Sequence, residues 1–373
     1  MTIEEFSSLE KLNAAFYECA KVSAWKDSTI LYRVNLLKNN VKLRNDLRNG
    51  TYRISPTIDF ILNERGKLRY IESPIMRDRI VQKILCKDIL VPQLTRYLIY
   101  DNYASLKDRG TSFARKRLDI ALRKFTQKFN GEGYVLKIDI KKYFDSIDHE
   151  ILKKMVREKI HESDEILNLI DYIIDNSSKS NKGLNLGSEV PQILAIYYLN
   201  LLDTYIKTVK GIKYYGRYMD DIYIFAETKE ELKELLNEIK EILAKLELEI
   251  NEKKTSITKI SHGFTFMQVK YNVDNGKIIK RPTHTKIVRE RRRLRMYKKL
   301  YDMGEVSEKY VYNCYKTWRN ALVKDCNASK ISIRAMDELY NSLFPVHEEV
   351  PKMTRTKLIE DFLESKRRIN QNG

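Results

Sequence analysis

Three carboxylates have the residue type and the spacing to do chemistry. Asp139 closes a short β-rich apolar run, Tyr134-Val135-Leu136-Lys137-Ile138-Asp139-Ile140. Asp220 and Asp221 lie further on, between the β-rich stretches 213–218 and 222–225. Two such runs around an acidic pair read as a hairpin whose turn carries the acids. If these strands share a sheet with the first run, Asp139 lies beside the pair. Phosphoryl transfer between polynucleotides uses two divalent ions roughly 3.5–4 Å apart. Hard Mg²⁺ takes its ligands from carboxylate oxygens and waters. An Asp-Asp pair on its own reads as an ordinary turn. The flanking β runs and the strand-end Asp139 are what point to metal ligation.

The elements that must position these acids are also legible. A helix is expected from His149, with Ile151, Leu152, Met155 and Val156 on one face. Residues 183–187 form a turn region, and 193–205 read as a buried helix. Over 229–246, Leu232, Leu235, Leu236, Ile239, Ile242, Leu243 and Leu246 fall at helical spacing. The β–α–β–β–α order from 134 to about 260 predicts a split βαβ, ferredoxin-like sheet. Upstream, residues 1–50 read as helical and charged. Two apolar runs flank Glu64-Arg65-Gly66-Lys67, a hairpin with a basic tip. A helix opens at Asp78 and is expected to stop before Pro92.

Composition narrows the partners. The chain of 373 residues carries 69 Lys and Arg against 51 Asp and Glu, a net charge of +18. Such a field attracts polyanions, nucleic acid first and an anionic membrane surface second. No run of eighteen apolar residues exists, so no membrane-spanning helix is expected. The start, MTIEEFSSLEKL, lacks an apolar signal core, and four scattered cysteines show no CxxC spacing. A cytoplasmic location without a zinc site or disulfide framework is expected. Between 281 and 300 nine Lys or Arg stand against one acid, Glu290. Arg289, Arg291, Arg292, Arg293, Arg295, Lys298 and Lys299 on one helix suit phosphate contacts that hold a duplex without reading its sequence.

At this point the sequence resembles a family. Tyr218-Met219-Asp220-Asp221 is similar to the YxDD box of reverse transcriptases, and Lys137 to His149 contains a stretch like their first acidic motif, with Asp139 at its head. Arg77-Asp78-Arg79-Ile80-Val81-Gln82 and Asp108-Arg109-Gly110-Thr111 resemble the N-terminal motifs of bacterial, group II intron-like members. Leu248-Glu249-Ile250-Asn251-Glu252-Lys253-Lys254-Thr255 resembles the fourth palm motif, and Phe264-Thr265-Phe266-Met267 the palm–thumb hairpin. The resemblance covers about residues 25–340 in the family's order. One stretch departs from it. Group II intron enzymes read PQG in the second palm motif, whereas this chain reads Gly183-Leu184-Asn185-Leu186-Gly187-Ser188-Glu189-Val190-Pro191-Gln192. That is closer to diversity-generating retroelements, with Pro191 in place of their Ser, and also resembles unaffiliated bacterial enzymes, antiphage ones included.

The resemblance implies an α+β right-hand polymerase with fingers, a ferredoxin-like palm and a helical thumb. Fingers and an N-terminal extension would take 1–130, the palm 131–280 with part of the fingers around 150–190, the thumb 281–345 and a tail 346–373. Asp139, Asp220 and Asp221 would be the catalytic acids. Two Mg²⁺, or Mn²⁺ in their place, would be held by Asp139, Asp220 and Asp221 with the carbonyl of Ile140. Lys67, Arg69, Phe144, Gln192 and Lys254 would contact the dNTP, Phe144 as the ring that meets a ribose 2′-OH. The implied partners are an RNA template, a DNA primer or product and dNTPs, with a non-coding RNA and an accessory protein beyond them. The implied role is RNA-directed DNA synthesis in antiphage defence. Its rivals are a diversity-generating enzyme, a silent RNA-binding scaffold and a nucleotide cyclase. The intact acids count against the scaffold, and the missing Gly-Gly acidic turn counts against the cyclase.

Overall fold

The computed structural model describes residues 1–64 and 66–345, without the side chains of Glu64 and Lys67. The expected tail at 346–373 and the Lys67 side chain lie outside the described residues. The chain forms two compact units. One joins Met1–Arg117 with Tyr134–Ile257, and the other joins Leu118–Gly133 with the chain from Thr258 onward.

In the first unit, helices Leu9–Ala20, Asp27–Val34 and Leu36–Arg48 precede an antiparallel ribbon. Strands β1 (Ile58–Glu64) and β2 (Lys67–Ser73) pair from Ile58↔Ser73 to Glu64↔Lys67. Gly66, at φ 82°, supplies the left-handed residue of the tip. The helix Met76–Ile84 then runs on through a wide π segment, Leu85–Leu90, into Val91–Leu94. The expected stop before Pro92 is therefore not observed. Pro92 lies in the first turn of the last segment, where its missing N–H interrupts least.

The central sheet contains β3 (Tyr134–Asp139), β4 (Tyr215–Tyr218), β5 (Asp221–Ala226) and β6 (Ser256–Lys259), in the order β4-β5-β3-β6. The strand that comes first in sequence thus lies between the third and the fourth, which is the split βαβ arrangement expected. Strand β3 pairs antiparallel with β5 from Tyr134↔Ala226 to Asp139↔Asp221. Ile222, Tyr223, Ile224 and Phe225 are all buried, as are Val135, Leu136 and Ile138, so the sheet is covered on both faces. Alternation alone therefore does not set the register. The strand-end acids do, because a slip that draws a carboxylate inward costs several kcal/mol.

Helices complete this unit. Lys229–Lys245 packs on β3 and β5 through Leu232, Leu235, Ile239, Ile242 and Leu243. Thr228 caps it, its hydroxyl accepting the Glu231 N–H at 3.2 Å. The buried helix expected at 193–205 begins earlier, as Glu189–Tyr198, and breaks before Asn200–Thr204. Pro191 is tolerated because the N–H groups of a first turn have no helical partner anyway.

In the second unit, β7 (Phe264–Phe266), β8 (Val269–Asp274) and β9 (Lys277–Pro282) form an antiparallel meander. The helix His284–Asp302 packs with Glu308–Asp325 and Lys330–Leu343. Leu294, Val311, Leu322, Met336 and Tyr340 are buried there. Tyr315 stacks on Tyr340 with ring centroids 4.6 Å apart. Among the described residues, no helix is long and apolar enough to cross a membrane.

Gly216 of β4 has no room for a side chain. A Cβ there would lie 2.2 Å from the hydroxyl of Tyr103, which is fully buried and hydrogen-bonded to Tyr223 at 2.8 Å. Gly216→Ala is expected to lower stability by about 1–3 kcal/mol through overpacking, read as a lower urea midpoint at unchanged slope. An unchanged midpoint contradicts this packing.

Candidate active site

The acids meet at one end of the central sheet. Asp139 and Asp221 are direct cross-strand partners. Tyr218 and Asp221 pair across the β4–β5 hairpin, which leaves Met219 and Asp220 as its two-residue link. Met219 is left-handed at φ 54°. The hairpin therefore presents Asp220 at its tip beside the Asp139–Asp221 pair.

Cations and amides answer part of the negative charge. Lys254 Nζ is 2.9 and 3.2 Å from the two oxygens of Asp139, and the Asn251 amide donates to the same carboxylate at 3.1 Å. Lys137 Nζ is 3.6 Å from Asp221. Backbone pairing delivers Lys254 and Asn251 to this place. Ile140 bridges Ile250, the Lys141 N–H donates to the Glu249 carbonyl, and the Asn251 N–H donates to the Asp139 carbonyl at 2.7 Å. Burial pushes the Asp221 carboxyl up from the ordinary 3.8 to about 6, with Asp220 and Asp139 adding to the rise and Lys137 opposing it. Among the described residues no three acid, His or Cys side chains already converge as a metal cage. Asp139 is engaged by Lys254 and Asn251, and Asp221 by Lys137. The donor set nevertheless fits a hard divalent cation: oxygen ligands at partly open strand ends, with one carboxyl raised chiefly by its burial and further by the two acids beside it.

Other expected residues fall nearby or elsewhere. Ile140 is buried, directly after Asp139. Phe144 is half-buried, its ring edge-on to Tyr143 at 5.7 Å, and its carbonyl accepts the Leu184 N–H at 2.8 Å. The departing motif therefore packs against the Phe144 segment. Its other side meets β2, where the Glu72 N–H donates to the Leu186 carbonyl at 3.1 Å. A Cβ at Gly187 would lie 2.8 Å from the Glu72 carbonyl, so only glycine allows that approach. Gln192 opens onto a cleft of about 350 Å³, shared with Arg79, Gln82, Lys83 and Ser188. Arg69 is half-buried on β2, opposite Leu62. Arg109 donates to the Tyr100 carbonyl at 3.0 Å and to that of Asn102, a structural role.

In the second unit, Arg289, Arg291, Arg292, Arg295 and Lys299 are exposed on the helix His284–Asp302. Two of the expected phosphate contacts are occupied within the chain. Arg293 binds the buried Glu290 at 2.7 Å, and Lys298 pairs with Asp302. Arg319, on the next helix, is likewise paired, with Asp337 at 2.8 Å.

Sequence reasoning missed two groups. Asn251 is one. The other is Arg217, which is fully buried against the equally buried Asp203. The available signal was an arginine inside an apolar strand, a position where a charge needs a partner.

A family described as reverse transcriptase (RNA-dependent DNA polymerase) matches residues 61–271, more than half of the chain. Protein YkfC of Escherichia coli strain K12 is 25% identical over 266 residues, which is 60% of this chain and 69% of that protein. The apo telomerase of Candida tropicalis, truncated from its C-terminal domain, aligns at 14% identity and TM-score 0.47, covering 65% of this chain and 60% of that one. Telomerase of Candida albicans in complex with a TWJ fragment of telomeric RNA aligns at 12% identity and TM-score 0.46, covering 84% of this chain and 58% of that one. The chain thus spans about three fifths of the telomerase chains it matches.

The raised Asp221 carboxyl has a measurable sign. Its folded value lies above its unfolded one, so the folded chain holds the extra proton and stability falls as pH rises from about 4 to about 6. Above that window the ionised form carries the full penalty. Asp221→Asn is expected to melt above wild type at pH 7.5 in EDTA, with the gain shrinking as pH drops through 6. A variant that melts below wild type at pH 7.5 contradicts the penalty on a buried, ionised Asp221.

Proposed function

The chain belongs to the reverse transcriptase (RNA-dependent DNA polymerase) family, and from that membership we propose that it extends a DNA primer on an RNA template at the Asp139–Asp220–Asp221 corner. The observation that carries this reading is the β3–β5 register, which sets Asp139 against Asp221 with Asp220 on the adjoining turn. Asp139 and Asp220 would hold two Mg²⁺, or Mn²⁺ in their place, with Asp221 and the Ile140 carbonyl completing the set. Those ions supply charge stabilisation at the attacking 3′ oxygen and the departing pyrophosphate.

The chain's own groups have distinct tasks. Lys254 neutralises Asp139 and, released from it, would meet the phosphates that leave. Phe144 bounds the sugar pocket and disfavours a 2′-OH. Lys67 and Arg69 on the hairpin, with Gln192, hold the incoming nucleotide. The exposed arginines of the helix His284–Asp302 grip the duplex backbone. The 1–130, 131–280 and 281–345 divisions correspond in this reading to fingers, palm and thumb. A non-coding RNA, with or without an accessory protein, would be the partner. Antiphage defence is favoured over diversification, because Pro191 stands where the diversification pattern has Ser.

Primer extension tests the reading. Wild type is expected to extend a DNA primer on RNA with dNTPs and Mg²⁺, and Asp220→Ala to lose at least about 1000-fold in rate while still binding primer–template. Full extension by Asp220→Ala contradicts it. Charge reversal at Arg291, Arg292 and Arg295 together is expected to weaken duplex binding on every sequence and to flatten its salt dependence, by about 0.9 in log K per log salt for each phosphate that the helix no longer neutralises. An unchanged salt slope removes this helix from the grip.

A further inference from the structure

The link between β4 and β5 is locally unfavourable. A two-residue hairpin turn with positive φ only at its first central residue normally takes glycine there. This chain has Met219, at φ 54°. A methionine held left-handed needs something outside the turn to keep it so.

Arg217 supplies that hold. Its side chain and that of Asp203 are fully buried. The guanidinium meets the carboxylate as a fork, Nε to Oδ1 at 2.9 Å and Nη2 to Oδ2 at 2.6 Å. Its remaining reach is used on backbone: Nη1 donates to the Met219 carbonyl at 3.0 Å and Nη2 to the Ile196 carbonyl at 2.9 Å. Tyr215 donates to Asp203 from the same strand. The backbone of Arg217 is itself pinned, its N–H donating to the Asp101 carbonyl at 3.0 Å and its carbonyl accepting the Tyr103 N–H at 2.9 Å. One side chain therefore ties the acidic turn to the end of the helix Glu189–Tyr198 and to a fully buried carboxylate.

We infer that Arg217, locked by Asp203, is a positioning residue that fixes the Met219 carbonyl and thereby the placement of the Asp220 carboxylate. A flat, five-donor guanidinium can bind a carboxylate with two nitrogens and still reach the turn, whereas a lysine offers one nitrogen on a flexible stem. Arg217 touches no reacting atom, so its effect runs through the geometry of the turn. The inference rests on the reading of the corner as a polymerase site.

Three proteins decide it: Asp220→Ala, Arg217→Lys, and a variant in which the buried network becomes apolar (Arg217→Met, Asp203→Leu, Tyr215→Phe). The last leaves no buried charge alone, a replacement that cores commonly accept. Each is measured for melting, for primer–template Kd, for kcat and dNTP KM, and for Mn²⁺ Kd by electron paramagnetic resonance without nucleotide. Arg217→Lys and the apolar variant are expected to fold and to bind primer–template as wild type does. Their kcat is expected to fall about 10- to 100-fold and their Mn²⁺ Kd to rise about tenfold, with the lysine variant the milder of the two. Wild-type kcat and Mn²⁺ Kd in either folded variant overturn the inference. Loss of fold in both also overturns it, since the pair is then a stability element. Wild-type extension by Asp220→Ala instead defeats the polymerase reading, and leaves the Mn²⁺ comparison to stand by itself.

Discussion

Acid against acid at the strand ends of an apolar sheet is the interaction on which the rest of this structure depends. Asp139 and Asp221 are opposed across two strands, and Asp220 is next in chain. Without counter-charge such a cluster opposes folding, and the Asp221 carboxyl, raised to about 6 first by burial and then by Asp220 and Asp139, carries part of that cost. Each neighbouring feature moderates it. Lys254 and Asn251 engage Asp139, Lys137 approaches Asp221, and the strand ends keep the carboxylates at an edge that water reaches. A site that repels itself when empty is suited to bind cations, because the ligand relieves what the fold has stored.

The scaffold beneath is correspondingly stiff. Both faces of β3 and β5 are buried, the helix Lys229–Lys245 covers them, and the space beside Gly216 is filled by Tyr103. Asp101 collects Arg117, Lys207 and the Tyr103 hydroxyl, so the segment that borders β4 is held by charge as well as packing. On the other side of the corner, the 183–187 stretch joins the Phe144 segment to β2 through backbone hydrogen bonds. The residues proposed to meet the nucleotide are thereby attached to the same frame as the acids.

Much of this was legible in the sequence for identifiable reasons. The strands read clearly because β-branched and aromatic runs were bounded by polar turns. The helix Lys229–Lys245 read clearly because its leucines and isoleucines kept helical spacing. The acids stood out because a strand-end Asp and a turn Asp-Asp pair were flanked by β-rich runs that could share one sheet. Helix boundaries near proline were misread. Pro92 and Pro191 lie in first turns, where the missing N–H matters little, and wide π turns carried the chain past the expected stop. The buried pair was half legible: Arg217 inside an apolar strand signals that a partner is needed, but nothing local names Asp203 as that partner. The exposed look of the basic run likewise hid that Arg293 and Lys298 are engaged by Glu290 and Asp302.

Anomalous diffraction at the manganese edge tests the central claim most directly. Crystals would hold the full chain with Mn²⁺, an RNA–DNA primer–template and a non-hydrolysable dNTP analogue. Two peaks about 3.5–4 Å apart, in contact with Asp139 and Asp220 and with Lys254 drawn off Asp139, are the predicted result. An occupied nucleotide pocket with no peak at that corner, and Lys254 still on Asp139, would contradict it.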